Sequence, residues 1–154
     1  MIQVKDVVKS FDGNVVLNHV SANFEDGKVN MIIGQSGSGK TVLMKSMIGL
    51  HQIDGGEIVF DTRAGQQNLA GMTEKEVRML HREVGMLFQG AALFDSMTVQ
   101  ENVMYPLEMF SDMTDEEKVA RARFCLERVN MPERAFGLMP SEISGGMQKR
   151  VAIA

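Results

Sequence analysis

A glycine-rich octapeptide at residues 34–41 carries the clearest chemical signal in the sequence. It reads Gly-Gln-Ser-Gly-Ser-Gly-Lys-Thr and fits the pattern G-x-x-x-x-G-K-[ST]. Glycines allow the backbone to wrap closely, so that successive N–H groups point inward at phosphate oxygens. In this pattern Lys40 reaches the β- and γ-phosphates, and the Thr41 hydroxyl coordinates Mg²⁺. The octapeptide therefore predicts a loop that binds the phosphates of a nucleotide, with a flexible Gly/Ser turn as the alternative.

The segments on either side of the octapeptide are suited to position it. An apolar strand is predicted over 29–33, directly before the loop. A helix is predicted after it, because apolar and small residues recur at helical spacing in Val42, Leu43, Ser46, Met47 and Leu50. This helix begins near Thr41 and would direct its positive end at the phosphates.

Apolar patterns elsewhere predict further short strands. Residues 2–8 are rich in valine and isoleucine, and a turn is predicted at 12–14. Strands are predicted over 15–24 and 57–60, and the compact apolar run over 84–88 predicts a buried strand. The first 61 residues are therefore expected to be mostly strand.

Three further helices are predicted from cap signals and spacing. Thr73 and Thr114 each begin a capping box, a hydroxyl followed three residues later by a carboxylate. The first helix is expected to run to about residue 81, and the second to end at Pro132. A last helix is expected to open at Ser144.

Length and composition are typical of one globular domain. The chain has 154 residues, of which 44% are hydrophobic and 23% charged, and this excludes a disordered tail. Its net charge of −4 argues against a general nucleic-acid binder.

The single Cys125 excludes an intrachain disulfide and is typical of a reducing compartment. There is no signal-peptide core and no apolar run of about 18 residues, so we expect a cytosolic protein that reaches a membrane only through a partner.

Three more motifs resemble those of the ABC-transporter ATPases. Residues 144–148, Ser-Gly-Gly-Met-Gln, resemble the family's signature, which is usually Leu-Ser-Gly-Gly-Gln. Phe88-Gln89, after an apolar run, resembles the Q-loop, and Phe11 resembles the aromatic A-loop residue that stacks on adenine. Together with the phosphate loop, this ordered set covers essentially the whole chain.

The resemblance implies an α/β fold, the P-loop NTPase nucleotide-binding domain of the ABC type. Such a domain has an N-terminal antiparallel β part, a parallel core and a helical subdomain. We expect a single incomplete ATP-binding domain over 1–154, in which the C-terminal part of the core is missing. Within it, residues 1–89 would form the β subdomain and the phosphate-loop part of the core. Residues 90–154 would form the helical subdomain through the signature.

The resemblance also implies which residues contact ATP and Mg²⁺. Mg²⁺ is assigned to Thr41 and Gln89. The implied ATP contacts within one subunit are Phe11, Gly34, Gln35, Ser36, Gly37, Ser38, Gly39, Lys40, Thr41 and Val42. The implied contacts to the ATP of a second subunit are Ser144, Gly145, Gly146, Met147 and Gln148.

Several of these assignments have structural alternatives. Phe11 at a strand end is also suited to packing, Gln89 to an ordinary loop, and Ser144 to a helix cap. The signature departs from its usual form at Met147, which replaces Gln and cannot donate a hydrogen bond. Either Gln148 substitutes for the missing donor, or that contact is absent.

The residues that follow the Q-loop resemble one subgroup of the family. Residues 88–99 and 101–103, with the Ser-Gly-Gly-Met form of the signature, are similar to the Mla/Mce-associated ATPases. That subgroup energises lipid transport across the bacterial envelope. The resemblance therefore implies a lipid or phospholipid transporter.

No catalytic residue is assigned within these 154 residues. The family's Walker B strand, which ends in Asp and is followed by a catalytic Glu, is expected beyond the signature. Residues 58–61 and 93–95 end in Asp but lack the adjacent Glu, so neither is taken as Walker B. We therefore expect this chain to be inactive alone. The strands over 29–33 and 84–88 would lack their common neighbour, which predicts an oligomer, a strand exchange or a rearranged sheet.

The resemblance further implies partners and a location. A homodimer of ATP-binding subunits and transmembrane permease subunits are expected, with no nucleic acid. The subunit would lie on the cytoplasmic side of the inner membrane, attached through the permease. Two alternatives remain: a soluble ABC ATPase of translation or DNA repair, and a non-hydrolytic nucleotide-binding fragment.

Overall fold

A β-hairpin opens the chain. β1 (Ile2–Phe11) and β2 (Asn14–Phe24) pair antiparallel, with Phe11 opposite Asn14. The two-residue turn between them places Asp12 at φ 48° and Gly13 at φ 81°. Positive φ at both positions matches the right-handed twist of the strands, and Asp-Gly is a favoured pair there. The predicted turn and second strand are confirmed.

The computed structural model describes residues 1–62 and 65–154. These residues form two compact units, Met1–Gly85 and Met86–Ala154. The first unit contains a sheet, the glycine-rich loop and two α-helices, and the second unit is helical. No helix among the described residues combines the length and the apolar character that crossing a bilayer requires.

The sheet of the first unit has four strands in the order β2-β1-β3-β4. β3 (Gly55–Thr62) pairs antiparallel with β1, and β4 (Gly65–Asn68) pairs antiparallel with β3. The strand predicted over 57–60 is therefore confirmed, and it is longer than predicted. β4 has no apolar alternation, so the pattern did not predict it.

The core of the first unit joins the sheet to two helices. These are α1 (Lys40–Met47), which follows the glycine-rich loop, and α2 (Glu74–Glu83), which a 3₁₀ turn at Leu69–Gly71 precedes. Burial of this apolar surface is the main favourable term in the folding of the unit. The buried side chains come from three strands and both helices: Val4, Val7, Leu17, Leu43, Met47, Ile58, Phe60 and Leu80.

The start of α2 is held by the predicted capping box. The Thr73 hydroxyl accepts from the Glu76 N–H, and the Glu76 carboxylate accepts from the Thr73 N–H at 2.7 Å. The N–H of Thr73 is the main cause of a lowered pKa for Glu76, because it stabilises the charged carboxylate. At the other end of α2, His81 Nε2 donates to the Ile48 carbonyl at 2.6 Å and so ties α2 to the end of α1.

Ser46 on α1 is fully buried, and its hydroxyl has no hydrogen-bond partner among the described residues. An unpaired buried hydroxyl is unfavourable, and Ala is a better helix former than Ser. We expect Ser46→Ala to raise the free energy of unfolding by about 1 kcal/mol. Urea denaturation followed by far-UV circular dichroism measures the change. A loss of stability instead would show that the hydroxyl is satisfied in solution.

Two predicted strands are wrong. Residues 29–33 pair with no described strand, and the side chains of Val29, Met31 and Ile33 are 95%, 78% and 83% exposed. Residues 84–88 likewise form no strand and continue from the end of α2. An apolar run becomes a strand only when a neighbouring strand accepts its hydrogen bonds, and none of the four strands does so. Association through these apolar segments stays a prediction.

The second unit packs three α-helices around its own core. They are α3 (Val99–Phe110), α4 (Asp115–Arg128) and α5 (Gly145–Ile153), and α3 contacts both of the others. Short 3₁₀ turns at Glu133–Ala135 and Pro140–Glu142 connect α4 to α5. The buried residues of this core are Val99, Leu126, Met131, Ala135, Phe136, Ile143 and Val151.

Of these helices, α4 and α5 were predicted and α3 was not. The box predicted at Thr114 caps α4, which ends at Arg128, a few residues before Pro132. α3 begins with an equivalent box in which Thr98 and Glu101 bond reciprocally, and these bonds lower the pKa of Glu101. This Thr-x-x-Glu signal was available in the sequence and would have located α3.

Candidate functional site

The glycine-rich loop leads directly into α1. Gly37 and Gly39 have φ values of 81° and 87°, in the left-handed region that favours glycine. A Cβ on Gly39 would lie 3.0 Å from the Val16 carbonyl oxygen and 3.1 Å from Leu17 Cδ2, in β2. Glycine is therefore required at Gly39, because the loop ends in close contact with the sheet.

The loop presents unpaired backbone donors. Ser38 N donates to the Gln35 carbonyl at 3.3 Å, and Leu43 N to the Gly39 carbonyl at 2.8 Å. The N–H groups of 39–42, by contrast, find no acceptor within residues 1–62 and 65–154. Free N–H groups at a helix N-terminus, together with the helix dipole, favour an anion. The loop therefore has the donor set that a phosphate group requires.

Lys40 and Thr41 add a charge and a hydroxyl to this donor set. Lys40 Nζ donates to the carbonyls of Gly34 and Gln35, at 2.8 Å and 2.6 Å, so its charge is held across the loop. Thr41 is exposed, and its hydroxyl has no partner in the described part of the chain. Gly34, Gln35, Ser36, Gly37 and Ser38 are exposed, and Val42 is half-buried.

This arrangement fits a nucleotide triphosphate with a divalent cation. In the two described ranges, no three His, Cys, Asp or Glu side chains group as a metal site. At the loop, the exposed Thr41 hydroxyl offers a neutral oxygen ligand. Hard cations such as Mg²⁺ accept such oxygen ligands and retain several waters.

Phe11 lies in the same unit, at the end of β1, with 38% of its surface exposed. Its ring packs edge-on against His51, with centroids 5.4 Å apart, and the Lys9 ammonium lies 5.1 Å from its centroid. Lys9 is also paired with Asp54 at 2.8 Å, and Asp54 accepts from the Ser10 N–H at 2.6 Å. The Lys9 hydrogen bond is the largest cause of a lowered pKa for Asp54. His51 and Lys9 were not predicted at this site, since nothing local in the sequence marks them.

Gln89 belongs to the second unit. It lies in an exposed turn that the hydrogen bond from Ala91 N to the Phe88 carbonyl closes at 3.0 Å. Ala91 and Ala92, directly after it, have φ values of 62° and 55°, which are uncommon for residues other than glycine. The assignment of Gln89 to Mg²⁺ stays a prediction.

The predicted signature forms the start of α5. Ser144 is the N-cap, and its hydroxyl accepts from the Met147 N–H at 3.3 Å. Gly145 and Gly146 are exposed, and a Cβ on either residue would meet nothing within 4 Å. Ser144 is thus a helix cap, as the structural alternative held, and the two glycines leave an open approach to the helix N-terminus.

Met147 stands where the usual signature has Gln, and the structure shows the surroundings of both Met147 and Gln148. Gln148 Nε2 donates to the Pro140 carbonyl at 2.8 Å, so this amide braces the turn before α5. Met147 is half-buried against the core of the second unit. Whether Gln148 replaces the missing donor stays a prediction.

Comparisons with known proteins agree with this arrangement. The family profile described as "ABC transporter" matches residues 17–154. The glutamine transport ATP-binding protein GlnQ of Escherichia coli is 38% identical over 154 residues, which are 100% of this chain and 62% of that protein. The methionine import ATP-binding protein MetN of Rhizobium johnstonii is 34% identical over 154 residues, 100% of this chain and 41% of that protein. The chain thus spans about half the length of these curated relatives.

A solved structure matches the fold as well. It is described as the dimeric, post-hydrolysis state of an ATP-binding cassette bound to ADP and Pi. The TM-score is 0.88 at 31% sequence identity, over 99% of this chain and 67% of that one. The predicted fold class is confirmed. The predicted restriction to lipid transport is not supported, because the two relatives above are named for glutamine and methionine.

Proposed function

Because this chain belongs to the ABC transporter family, we propose that it is an ATP-binding subunit whose nucleotide cycle powers a membrane transporter. In this proposal residues 34–42 hold the triphosphate, and the exposed part of the Phe11 ring stacks on the adenine. Stacking of a base on an aromatic side chain contributes about 1–3 kcal/mol in nucleic-acid systems. The ADP and Pi in the similar cassette structure support nucleotide binding.

One observation carries the proposal: the start of α1 has unpaired backbone N–H groups, and the Lys40 charge is held within the same loop. Lys40 Nζ is bonded to the carbonyls of Gly34 and Gln35. A phosphate is a stronger acceptor than these neutral carbonyls, so the ammonium would exchange them for phosphate oxygens. The loop thereby combines a point charge with backbone donors that are already in place.

Mg²⁺ is proposed as the second component of the site, with the Thr41 hydroxyl as a protein ligand, and the assignment of Gln89 to Mg²⁺ stays a prediction. When bound, the cation neutralises charge on the phosphate oxygens. The Thr41 hydroxyl is exposed and free to face it. Gln89 offers a neutral carbonyl oxygen on an exposed turn.

These residues bind and position phosphates, and the proposal assigns none of them as the base for the attacking water. Asp61 lies in β3 opposite Gln66, and Asp95 lies in a loop. Neither is followed by a glutamate. Phosphoryl transfer depends on a positioned water, so we propose that residues 1–154 alone do not hydrolyse ATP at the rate of the family. The lack of an assigned base for the attacking water is equally consistent with the alternative, a nucleotide-binding module that does not hydrolyse ATP.

A second copy of the chain is the proposed partner across the signature. The N-terminus of α5 is exposed, and Gly145 and Gly146 leave space for an anion held by another subunit. In a two-fold pair each subunit would complete the site of the other. The dimeric form of the similar cassette supports this pairing. Permease subunits are proposed as further partners, with the subunit at the cytoplasmic face of the membrane.

The nature of the transported molecule is a separate part of the proposal. The names of the two relatives favour transport of an amino acid. Transport of a lipid rests on the resemblance of residues 88–99 and 101–103 and on the name of one relative, TRIGALACTOSYLDIACYLGLYCEROL 3 of Arabidopsis thaliana, which is 37% identical over 160 residues. A soluble ABC ATPase of translation or DNA repair is disfavoured, because the net charge of −4 does not suit nucleic acid. Mass spectrometry of the membrane proteins that copurify with the chain would distinguish an amino-acid transporter, a lipid transporter and a soluble ATPase.

Lys40→Ala tests the proposed site. We expect the affinity for Mg-ATP to fall about tenfold to a hundredfold, because a charge-assisted hydrogen bond of about 1.5–3 kcal/mol is lost. Isothermal titration calorimetry measures the change. Lys45→Ala, in the last turn of the same helix, is the matched control and should bind as the parent does. Equal affinities for the parent and Lys40→Ala, in protein with an unchanged far-UV spectrum, would contradict the proposal.

A further inference from the structure

The ring of Phe11 is held by a residue forty positions later in the chain. His51 meets it with centroids 5.4 Å apart and ring planes at 75°. Edge-to-face geometry of this kind is a favoured arrangement of two aromatic rings. His51 is half-buried, whereas Phe11 keeps 38% of its surface exposed. The contact therefore restrains Phe11 and leaves part of its ring open to a ligand.

His51 is itself anchored to the helix that begins at the phosphate loop. The backbone N–H groups of Leu50 and His51 both donate to the Lys45 carbonyl, at 2.9 Å and 3.4 Å. Lys45 lies in the last turn of α1. One short helix thus carries the proposed phosphate donors at its N-terminus, and His51 follows four residues after its last residue, Met47.

A second set of contacts restrains Phe11 through Lys9. The ammonium lies 5.1 Å from the ring centroid and is held by the Asp54 carboxylate at 2.8 Å. Asp54 in turn accepts from the Ser10 N–H, next to Phe11 in β1. A cation near an aromatic ring is attracted to its face. The Phe11 ring is therefore restrained by contacts with both the Lys9 cation and the His51 ring.

We propose that His51 is a positioning residue for purine recognition: it fixes the orientation in which Phe11 meets the base. The inference rests on the proposed function, in which the open part of Phe11 stacks on adenine. An aromatic ring that is already oriented loses less rotamer entropy on binding than a free one. His51 itself is assigned no contact with the nucleotide.

The test compares two ligands, Mg-ATP and inorganic tripolyphosphate, which shares the phosphates and lacks the base. We expect His51→Ala to weaken ATP binding between about two- and tenfold, the range of an aromatic pair, and to leave tripolyphosphate binding unchanged. His51→Phe retains a ring edge and should restore ATP affinity. Gln52→Ala, at the exposed neighbouring position, is the matched control and should bind both ligands as the parent does.

A double variant separates positioning from direct contact. If His51 acts through Phe11, then His51→Ala should weaken ATP binding no further in a Phe11→Ala background. Full additivity of the two changes, or an equal loss for ATP and tripolyphosphate, would overturn the inference. If instead Phe11→Ala and Lys40→Ala both leave ATP binding unchanged, the proposed function itself fails. A clear effect of Phe11→Ala with none from His51→Ala rejects the positioning role alone.

Discussion

Gly56→Ala is expected to remove most of the stability of the β-sheet unit. Gly56 lies in β3 at φ 84°, in the left-handed region. A Cβ there would lie 2.4 Å from the Asp6 carbonyl oxygen and 2.5 Å from both the Asp6 carbon and the Lys5 oxygen. All three are backbone atoms of β1, so no side-chain rotation relieves the overlap. We expect a loss of about 4 kcal/mol or more, the range of severe core substitutions.

The backbone at Asp6 cannot move aside easily, because it is part of a bulge. The β1–β2 register shifts between Val4 and Val7, and Asp6 and His19 have φ values of 53° and 50°. His19 Nδ1 bonds to Asp6 Oδ1 at 2.9 Å, and the Asp6 N–H donates to Ser21 Oγ at 2.9 Å. These bonds hold the segment that a Cβ on Gly56 would displace.

Gly55→Ala is the matched control for this substitution. Gly55 is the preceding residue, has no positive φ, and its Cβ would meet Val8 Cβ at an ordinary 3.8 Å. Urea denaturation followed by far-UV circular dichroism compares the two variants with the parent. We expect Gly55→Ala to stay within about 1 kcal/mol of the parent. Similar midpoints for both variants would show that the strand contact at Asp6 is looser in solution.

Gly146→Ala is expected to leave the fold intact, unlike Gly56→Ala, and to weaken the association of two copies of the chain. A Cβ at Gly146 would meet nothing within 4 Å in this chain, and Ala is the better residue inside a helix by about 1 kcal/mol. The free energy of unfolding should therefore stay the same or rise. At a close contact with a phosphate of a second subunit, however, an added methyl group would overlap. Overpacking of about 1–3 kcal/mol corresponds to association that is weaker by about fivefold to more than a hundredfold.

Sedimentation velocity with Mg-ATP measures this association for the parent and the variant. Gly137→Ala is the control, since Gly137 is exposed in the same unit and its Cβ would also meet open space. We expect that control to associate as the parent does. If Gly146→Ala also associates with unchanged affinity, the signature does not face a second subunit. Lys40→Ala should prevent the association as well, through loss of ATP.

The parts of the fold that were predicted correctly depend on contacts within a few residues. The Asp12-Gly13 turn depends on the positive φ of two adjacent residues, and the Thr73 and Thr114 boxes satisfy backbone groups from side chains three positions away. The glycine-rich loop is of the same kind, because Gly37 and Gly39 permit its conformation and Lys40 closes it over its own carbonyls. The start of α3 also depends on contacts within a few residues. The sequence analysis missed this helix because it did not use the Thr98 capping box.

The errors concern residues whose state depends on distant partners. Residues 29–33 have the composition of a strand, but an extended segment needs a neighbour for its hydrogen bonds, and no described strand pairs with them. The same holds for 84–88. For Gln148, only the structure shows that its amide donates to the Pro140 carbonyl, eight residues away.

The sequence alone predicted where an anion would bind, since spacing and residue type within eight positions set the backbone donors and the charge of the loop. It also determined the family, through motifs in a specific order. Only the tertiary structure decided which side chains surround Phe11, because His51 reaches that ring through the length of α1 and the pairing of β1 with β3. Such contacts depend on how separate elements pack, and no local pattern encodes them.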